Sequence, residues 1–400
     1  MVRTTLKRAP LLAGLVAATV GLAACDGGSF PAGTSVVSDP LPEPEVTEAA
    51  AVNQAFLRLY TRNVFLGAST APLFSLDFSQ FPANILEVVA AVQSYWADVQ
   101  ATDFTVRAEA IADEIASIRP HVVGLNEMAR YALIDVTAGP VDGIDFVAVL
   151  MDALAARGLD YTLEIDQIAT SSQLPYAVGP TGVTHVLSFE VGDAVLVRGD
   201  VNVTEKANAL YAAGLDLGPV QVNRGWSRVS FPFQGVTHHV VVTHLEQQIL
   251  YPIQEAQVDE LLGSVLSGLD GPTFLMGDLN SDANNGPPAP SWTPTYGRLV
   301  DAGWVDPWLE QAGRIASGET CCWDDDLIDG VLDQRIDFIL VRAPEAVVPG
   351  GGGNVLAGAV QMDILGEEES DRTPVLGIFP ADHAGLFGAL NLPRGLLADR

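Results

Sequence analysis

The sequence predicts an α/β protein: apolar runs of strand length alternate with stretches of helical period, and several runs are too uniformly apolar to keep a wet face. The first alternation is the plainest. Residues 57–65 have the mixed pattern of a strand. Residues 105–119 then place Val106, Ala110, Ile111, Ile115 and Ile118 at helical spacing, Pro120 ends that helix, and residues 121–125 read as a short buried strand. Further β-rich runs are 194–198, 239–245, 273–276 and 335–341, and 386–392 closes the chain. Residues 251–266 read as a helix. The stretch 69–102 interrupts the first strand–helix connection and reads as an insertion.

The N-terminus sets the expected location. Arg3, Lys7 and Arg8 precede an apolar run, 11–24, that is too short to span a bilayer as a mature helix. Residues 1–24 therefore read as a signal peptide. The run ends in Leu22-Ala23-Ala24-Cys25, which resembles the bacterial lipobox cleaved before its cysteine, and the resemblance implies acylation of Cys25. Each buried CH₂ contributes about 0.8 kcal/mol, so two or three chains anchor far more firmly than one. The expectation is an exported protein, lipid-anchored to the periplasmic or extracellular face of the cell envelope. Residues 25–52 are rich in Gly, Pro and acidic residues and read as a flexible tether. Residues 53–400 are left as one domain, expected to be a monomer.

Twenty Lys+Arg stand against 50 Asp+Glu, a formal charge of −30, and the leader holds three of those cations. Such a surface repels nucleic-acid backbones unless a local basic groove intervenes, and no cluster in the sequence supplies one. The preferred reading of the charge is a solvated acidic surface suited to a saline habitat. Beyond Cys25 only the adjacent Cys321 and Cys322 remain. They are either a vicinal disulfide, the favoured reading in an oxidising compartment, or a buried reduced pair. A zinc site would need more Cys or His at ligand spacing.

Function is most legible where the apolar runs stop. Asn63 lies near the end of the first, Glu127 follows Val-Val-Gly-Leu-Asn, His244 follows Val-Val-Val-Thr, and Asp278 with Asn280 follows Phe-Leu-Met-Gly. Asp337 sits inside Arg-Ile-Asp-Phe, and Asp382 with His383 precedes the last run. Each alone has a plain structural reading: a core-edge histidine, an Arg335–Asp337 pair, an Asp/Asn turn. Together they can converge, because strand ends gather at one rim of a sheet. In order, Thr61-Arg62-Asn63, Asn126-Glu127, Thr243-His244-Leu245, Gly277-Asp278-Leu279-Asn280, Arg335-Ile336-Asp337-Phe338 and Ala381-Asp382-His383 resemble the successive motifs of the endonuclease/exonuclease/phosphatase superfamily. The departures are Asn126, Phe338 and Ala381, where relatives have Gln, Tyr and Ser.

The resemblance implies a four-layered α/β/β/α sandwich of two mixed β-sheets and hydrolysis of phosphodiester or phosphomonoester bonds with Mg²⁺, or Mn²⁺ in its place. It makes Glu127 the principal metal ligand, with Asn63 and Asp382 nearby. Asp278 would orient or deprotonate the attacking water, and Asn280 would position water or phosphate. Asp337 would hold His383 as an imidazolium, and His244 would add a donor. A further phosphate contact found in relatives has only His185 as a candidate. The expected substrate is a phospholipid or a small phosphate ester. The alternatives are an extracellular nuclease, whose groove would need cations such as Arg224, Arg228 and Arg298, and a catalytically silent binding module. The acidic run 324–326 reads as a turn in preference to a Ca²⁺ loop.

Overall fold

The computed structural model describes residues 56–391 except 217–219, 312–315, 344–346, 351–352 and 357–358. The expected signal peptide, Cys25 and the expected tether fall outside the described residues. Strand β1 (Leu57–Asn63) leads into helices α1 (Ala71–Phe74), α2 (Ile85–Ala101) and α3 (Phe104–Ile118). Strands β2 (Val122–Asp135) and β3 (Gly139–Asp145) follow, then α4 (Phe146–Ala156) and the long hairpin β4 (Tyr161–Gly179) and β5 (Gly182–Arg198). Next come β6 (Glu205–Leu210), β7 (Leu215–Asp216), β8 (Gln221–Val222), β9 (Gly225–Phe233) and β10 (Val236–Thr243), then α5 (Tyr251–Glu260) and β11 (Thr273–Asp278). The chain continues through α6 (Thr295–Asp301), α7 (Pro307–Glu310), β12 (Cys321–Trp323), β13 (Gly330–Gln334) and β14 (Asp337–Arg342). It ends with β15 (Val347–Gly350), β16 (Gly353–Leu356), β17 (Ala359–Leu365) and β18 (Gly385–Asn391).

The strands form two main sheets. Sheet I has the order β17-β18-β1-β2-β5-β4, with β3 beside β2, and sheet II runs β14-β11-β10-β9-β6. Each mixes directions: β1 is parallel to β2 and β10 to β11, and the other pairs are antiparallel. The sheets pack face to face. Leu57, Leu59, Val122, Val195 and Val197 of sheet I share one core with Val229, Phe231, Val240, Val242, Phe274, Met276, Ile339 and Val341 of sheet II. Alternate residues of sheet II (Val241, Leu275, Leu340) face a second core with Val258 and Leu261 beneath α5. Both faces of these strands are thus buried, which is why the sequence shows unbroken apolar runs. At Gly124 the sheets approach closely, since a Cβ there would lie 2.7 Å from Met276 Cε.

Helices α2, α3 and α4 cover the outer face of sheet I. Helix α3 starts where the Asp103 side chain accepts from Thr105 N at 3.1 Å, and it ends at Arg119, whose φ of 43° precedes Pro120. The segment 69–102, read in the sequence as an insertion, builds part of this layer. Val88, Val92, Tyr95, Trp96 and Val99 recur at helical spacing on α2, and Tyr95 and Trp96 pack on Tyr131 of β2. Strand β2 also runs past the expected end at residue 125, because Met128, Ala129 and Tyr131 are buried beneath these helices. The result is four layers, α/β/β/α. Among the described residues, no helix is long and apolar enough to cross a membrane.

Candidate active site

Strand direction places the polar strand ends together. Parallel β1 and β2 end at the rim where β10 and β11 end. Antiparallel β14 and β18 begin there, so Asp337 and the residues just before Gly385 arrive at the same edge. Asp278 and Asp337 face each other as register partners. Gly277 permits this packing, since its φ is 131° and a Cβ would fall 2.0 Å from the Thr243 carbonyl oxygen.

His383 is the junction of the two sheets. Its Nδ1 donates to Asp337 Oδ2 at 2.8 Å, while its Nε2 lies 3.9 Å from Asp278 Oδ2. Asp337 Oδ2 also accepts from Thr320 Oγ1 at 2.6 Å. Burial acts to lower the His383 pKa, but Asp337, Asp382 and Asp278 outweigh it and raise it well above the ordinary range, so the ring is an imidazolium. Arg335 does not take Asp337. It pairs with Asp306 at 2.7 Å instead.

Asp278 is gripped from three sides. Oδ2 accepts from Asn63 Nδ2 at 3.2 Å and stands 3.4 Å from His244 Nε2, while Oδ1 accepts from the Asn280 backbone at 2.8 Å. Burial first, then the charge of Asp337, pushes its pKa up to about 7. Asn280 (φ 48°) turns the chain so that its Nδ2 reaches Leu245 O at 3.0 Å and His244 Nε2 at 3.2 Å. His244 differs from His383 in charge. Burial, Arg224 and His383 hold its pKa well below the usual value, so the ring is neutral. The cation at this corner is Arg224, whose guanidinium lies 2.9 Å from His244 Nδ1 and 3.3 Å from Glu246 Oε1.

Glu127 sits at a break in the β2–β5 register with φ 61°, a conformation uncommon for a residue with a side chain, and the bulge re-aims its carboxylate out of the ladder. Its Oε2 accepts from Leu66 N at 3.0 Å. Asp382 is close enough to feel that charge: burial chiefly, with a contribution from Glu127, pushes its pKa up to about 7, and its Oδ1 is buried without a hydrogen-bond partner. Asn63 Oδ1 accepts from Phe65 N at 3.0 Å. A crowd of carboxylates with an orphaned buried oxygen fits a divalent cation. Among the described residues, Asp278, Asp337 and His383 also bring ligand atoms within 4.8 Å of one another, close enough to surround an ion.

Other expected residues fall elsewhere. His185 faces Asp135 at 3.7 Å, Arg228 faces Glu205 at 3.6 Å, and Arg298 pairs with Asp259. The acidic run is a turn in which Asp326 Oδ1 accepts from Ile328 N. Sequence reasoning missed Asn126 as a working residue. Its Nδ2 donates to Asp193 Oδ1 at 2.8 Å and its Oδ1 accepts from Asp278 N at 3.0 Å, so it ties β2 to β11. Its place beside Glu127 was the available signal. Cys321 and Cys322 are paired with each other beside His383.

Comparison with known proteins identifies a family and a fold. The model of the Endonuclease/Exonuclease/phosphatase family matches residues 92–383. No curated protein matches the chain significantly. Among solved structures, a family protein from Leptotrichia buccalis C-1013-b aligns at 14% identity over 84% of this chain and 99% of its own, with a TM-score of 0.50. One from Beutenbergia cavernae DSM 12333 aligns at 21% identity over 84% and 72%, with a TM-score of 0.48. Truncated Caenorhabditis elegans TDP2 aligns at 16% identity over 84% and 97%, with a TM-score of 0.46. Likeness at such identities speaks to fold alone, whereas the family model spans the strand-end residues from Asn126 to His383. The chain belongs to the endonuclease/exonuclease/phosphatase family.

Proposed function

We propose that the protein is an exported, lipid-anchored, Mg²⁺-dependent phosphoesterase acting on a phospholipid head group or a small phosphate ester. The observation that carries the chemistry is the Asp337–His383–Asp278 chain at the shared rim, with Asn280, His244 and Arg224 beside it. Glu127 and Asp382, with Asn63 adjacent, would hold the ion. Bound there, Mg²⁺ would supply a hard positive charge to phosphate oxygens and lower the pKa of a water.

The protein groups divide the remaining work. Asp278, with a pKa near neutrality, is suited to orient the attacking water and accept its proton. The Nε2 proton of His383 is offered to a phosphate oxygen, and Asp337 keeps that ring charged and aimed. Arg224 adds a second fixed cation, and Asn280 Nδ2 is anchored at the same corner. Burial of these groups strengthens their action on developing charge.

Two features support a small or lipid substrate over a nucleic acid. Of the three arginines, Arg224 contacts the site at His244, whereas Arg228 and Arg298 pair with Glu205 and Asp259. Segments that neighbour the site residues in sequence also expose aliphatic side chains. Ile249 stands beside Gln248, which contacts Gln334 of β13, and Val331 and Val375 are likewise exposed. The test is a panel of DNA, RNA, sphingomyelin, phosphoinositides and nucleotides, assayed with Mg²⁺ and with chelator. Metal-dependent turnover of a lipid or small ester that vanishes in Glu127→Ala is expected. Turnover of DNA alone, or activity untouched by chelator, would overturn the reading.

A further inference from the structure

We propose that Cys321, Cys322 and His383 form, when the cysteines are reduced, an inhibitory site for a soft divalent cation such as Zn²⁺ or Cd²⁺, and that the disulfide closes this site. The cysteines are seated by backbone against the catalytic loop. Trp323 N donates to Asp382 O and Ala384 N to Thr320 O, each at 2.8 Å, and Cys321 bridges His383 as an isolated β-pair. Cys322 Sγ stands 3.9 Å from His383 Nε2. The two sulfurs and an imidazole nitrogen lie within 4.8 Å of one another.

The donor set selects the ion. Thiolate with imidazole favours zinc-like metals over Mg²⁺, and three protein donors plus water complete a tetrahedron. Asp337 already supplies the supporting contact such sites use, by accepting from His383 Nδ1 and leaving Nε2 turned towards the sulfurs. In the disulfide the sulfurs are bonded to each other and cannot act as thiolates.

The chemistry balances with a thiol reductant. Two R–SH molecules give up their hydrogens and become R–S–S–R while the Cys321–Cys322 bond breaks to two thiols. Binding M²⁺ then releases both thiol protons and the proton on Nε2. Nε2 is the atom offered to the phosphate, so its capture removes the imidazolium from catalysis. The inhibitory consequence rests on the role proposed for His383, whereas the binding itself does not.

The experiment uses the full chain, untreated and after phosphine reduction, titrated with Cd²⁺ in excess Mg²⁺. Two readouts are followed: the ultraviolet thiolate-to-metal absorption and hydrolysis of the best substrate. Reduced protein is expected to develop the absorption at one Cd²⁺ per chain and to lose activity at least about tenfold, reversed by chelator and fresh Mg²⁺. Untreated protein should show neither effect. Cys322→Ser, which keeps Cys25, should lose both responses and keep its turnover, and the oxidised–reduced comparison stands without it if that variant fails to fold. Equal inhibition in both redox states would place Cd²⁺ at the carboxylates and overturn the proposal, as would reduced protein without the absorption. Absorption with undiminished turnover overturns the inhibitory role; if His383→Ala is then also active, the fault lies in the role given to His383.

Discussion

Strand ends of sheet I and of sheet II reach the same rim, but different chemistry holds them there. On the sheet I side, two buried arginines brace the loops that carry Asn63, Asp382 and His383. Arg107 donates to the carbonyls of Thr102, Val64, Phe65 and Pro380 at 2.6–3.2 Å, and Arg62 donates to His383 O at 2.9 Å while pairing with Glu114. On the sheet II side, neutral carboxamides do this. Gln254 Nε2 donates to the carbonyls of Glu246, Leu279 and Asn280, and Gln257 Oε1 accepts from Glu246 N at 2.8 Å. Sheet II also has a buried arginine, Arg335, paired with Asp306 as Arg62 is with Glu114, so the contrast rests on Arg107.

The difference follows the charge each half presents. Glu127 and Asp382 crowd negative charge onto the sheet I side, and the buried Arg107 beneath them offsets part of it; burial in turn drags that guanidinium down to about 9, against the pull of Asp382. The sheet II side already holds Arg224 and faces the His383 imidazolium, so a neutral brace leaves its balance undisturbed.

The sharpest way to break this comparison is to cut the bond between the halves. Asp337→Asn and His383→Ala should each lower turnover by about 10³-fold, measured under conditions where the variant is folded. The double variant should be no slower than His383→Ala, because the two act as one unit. Multiplying losses would mean that the halves work independently.

Next in size is the brace of sheet I. Arg107→Met leaves four carbonyls without their donor, and a loss of about 3 kcal/mol or more is expected in urea unfolding. Gln254→Leu should cost about 1–3 kcal/mol in the same measurement. If the glutamine proved the costlier, charge would not be what distinguishes the two braces.

The smallest effect tests the seam. Burial pushes Asp193 up to about 7, against the hydrogen bond from Asn126 and the charge of Arg224. Its folded pKa lies above the unfolded value of about 3.9, so the folded state binds the extra proton and this group's contribution falls as pH rises from about 4 through 7. Asp193→Asn imitates the protonated carboxyl. Measured with chelator, its urea midpoint relative to wild type should be higher at pH 8 than at pH 5, and an unchanged difference would refute the linkage.

Much of this was legible in the sequence, for a local reason. Asn63, Glu127, His244, Asp278, Asp337 and His383 each stand in or beside an apolar run, and the burial of both strand faces makes such polar residues conspicuous. The helix of residues 105–119 was equally readable, from its period and Pro120. Arg107 hid within that helix because it occupies the buried stripe with Phe104, Ala108 and Ile111, where a long cation looks like an irregularity of the pattern. Residues 69–102 read as an insertion because nothing local reveals that α2 packs on Tyr131.

What the sequence by itself determined is the α/β alternation and the inventory of acids, amides and histidines at strand ends, since both depend on neighbours a few positions apart. Only the tertiary structure decided which of them meet: that Arg335 pairs with Asp306 and leaves Asp337 to His383, that His244 is neutral beside Arg224, and that the cysteine pair lies against His383. Those outcomes depend on burial and on charges tens to hundreds of residues away. Such interactions exist only once two sheets have closed on each other and excluded water from the space between them.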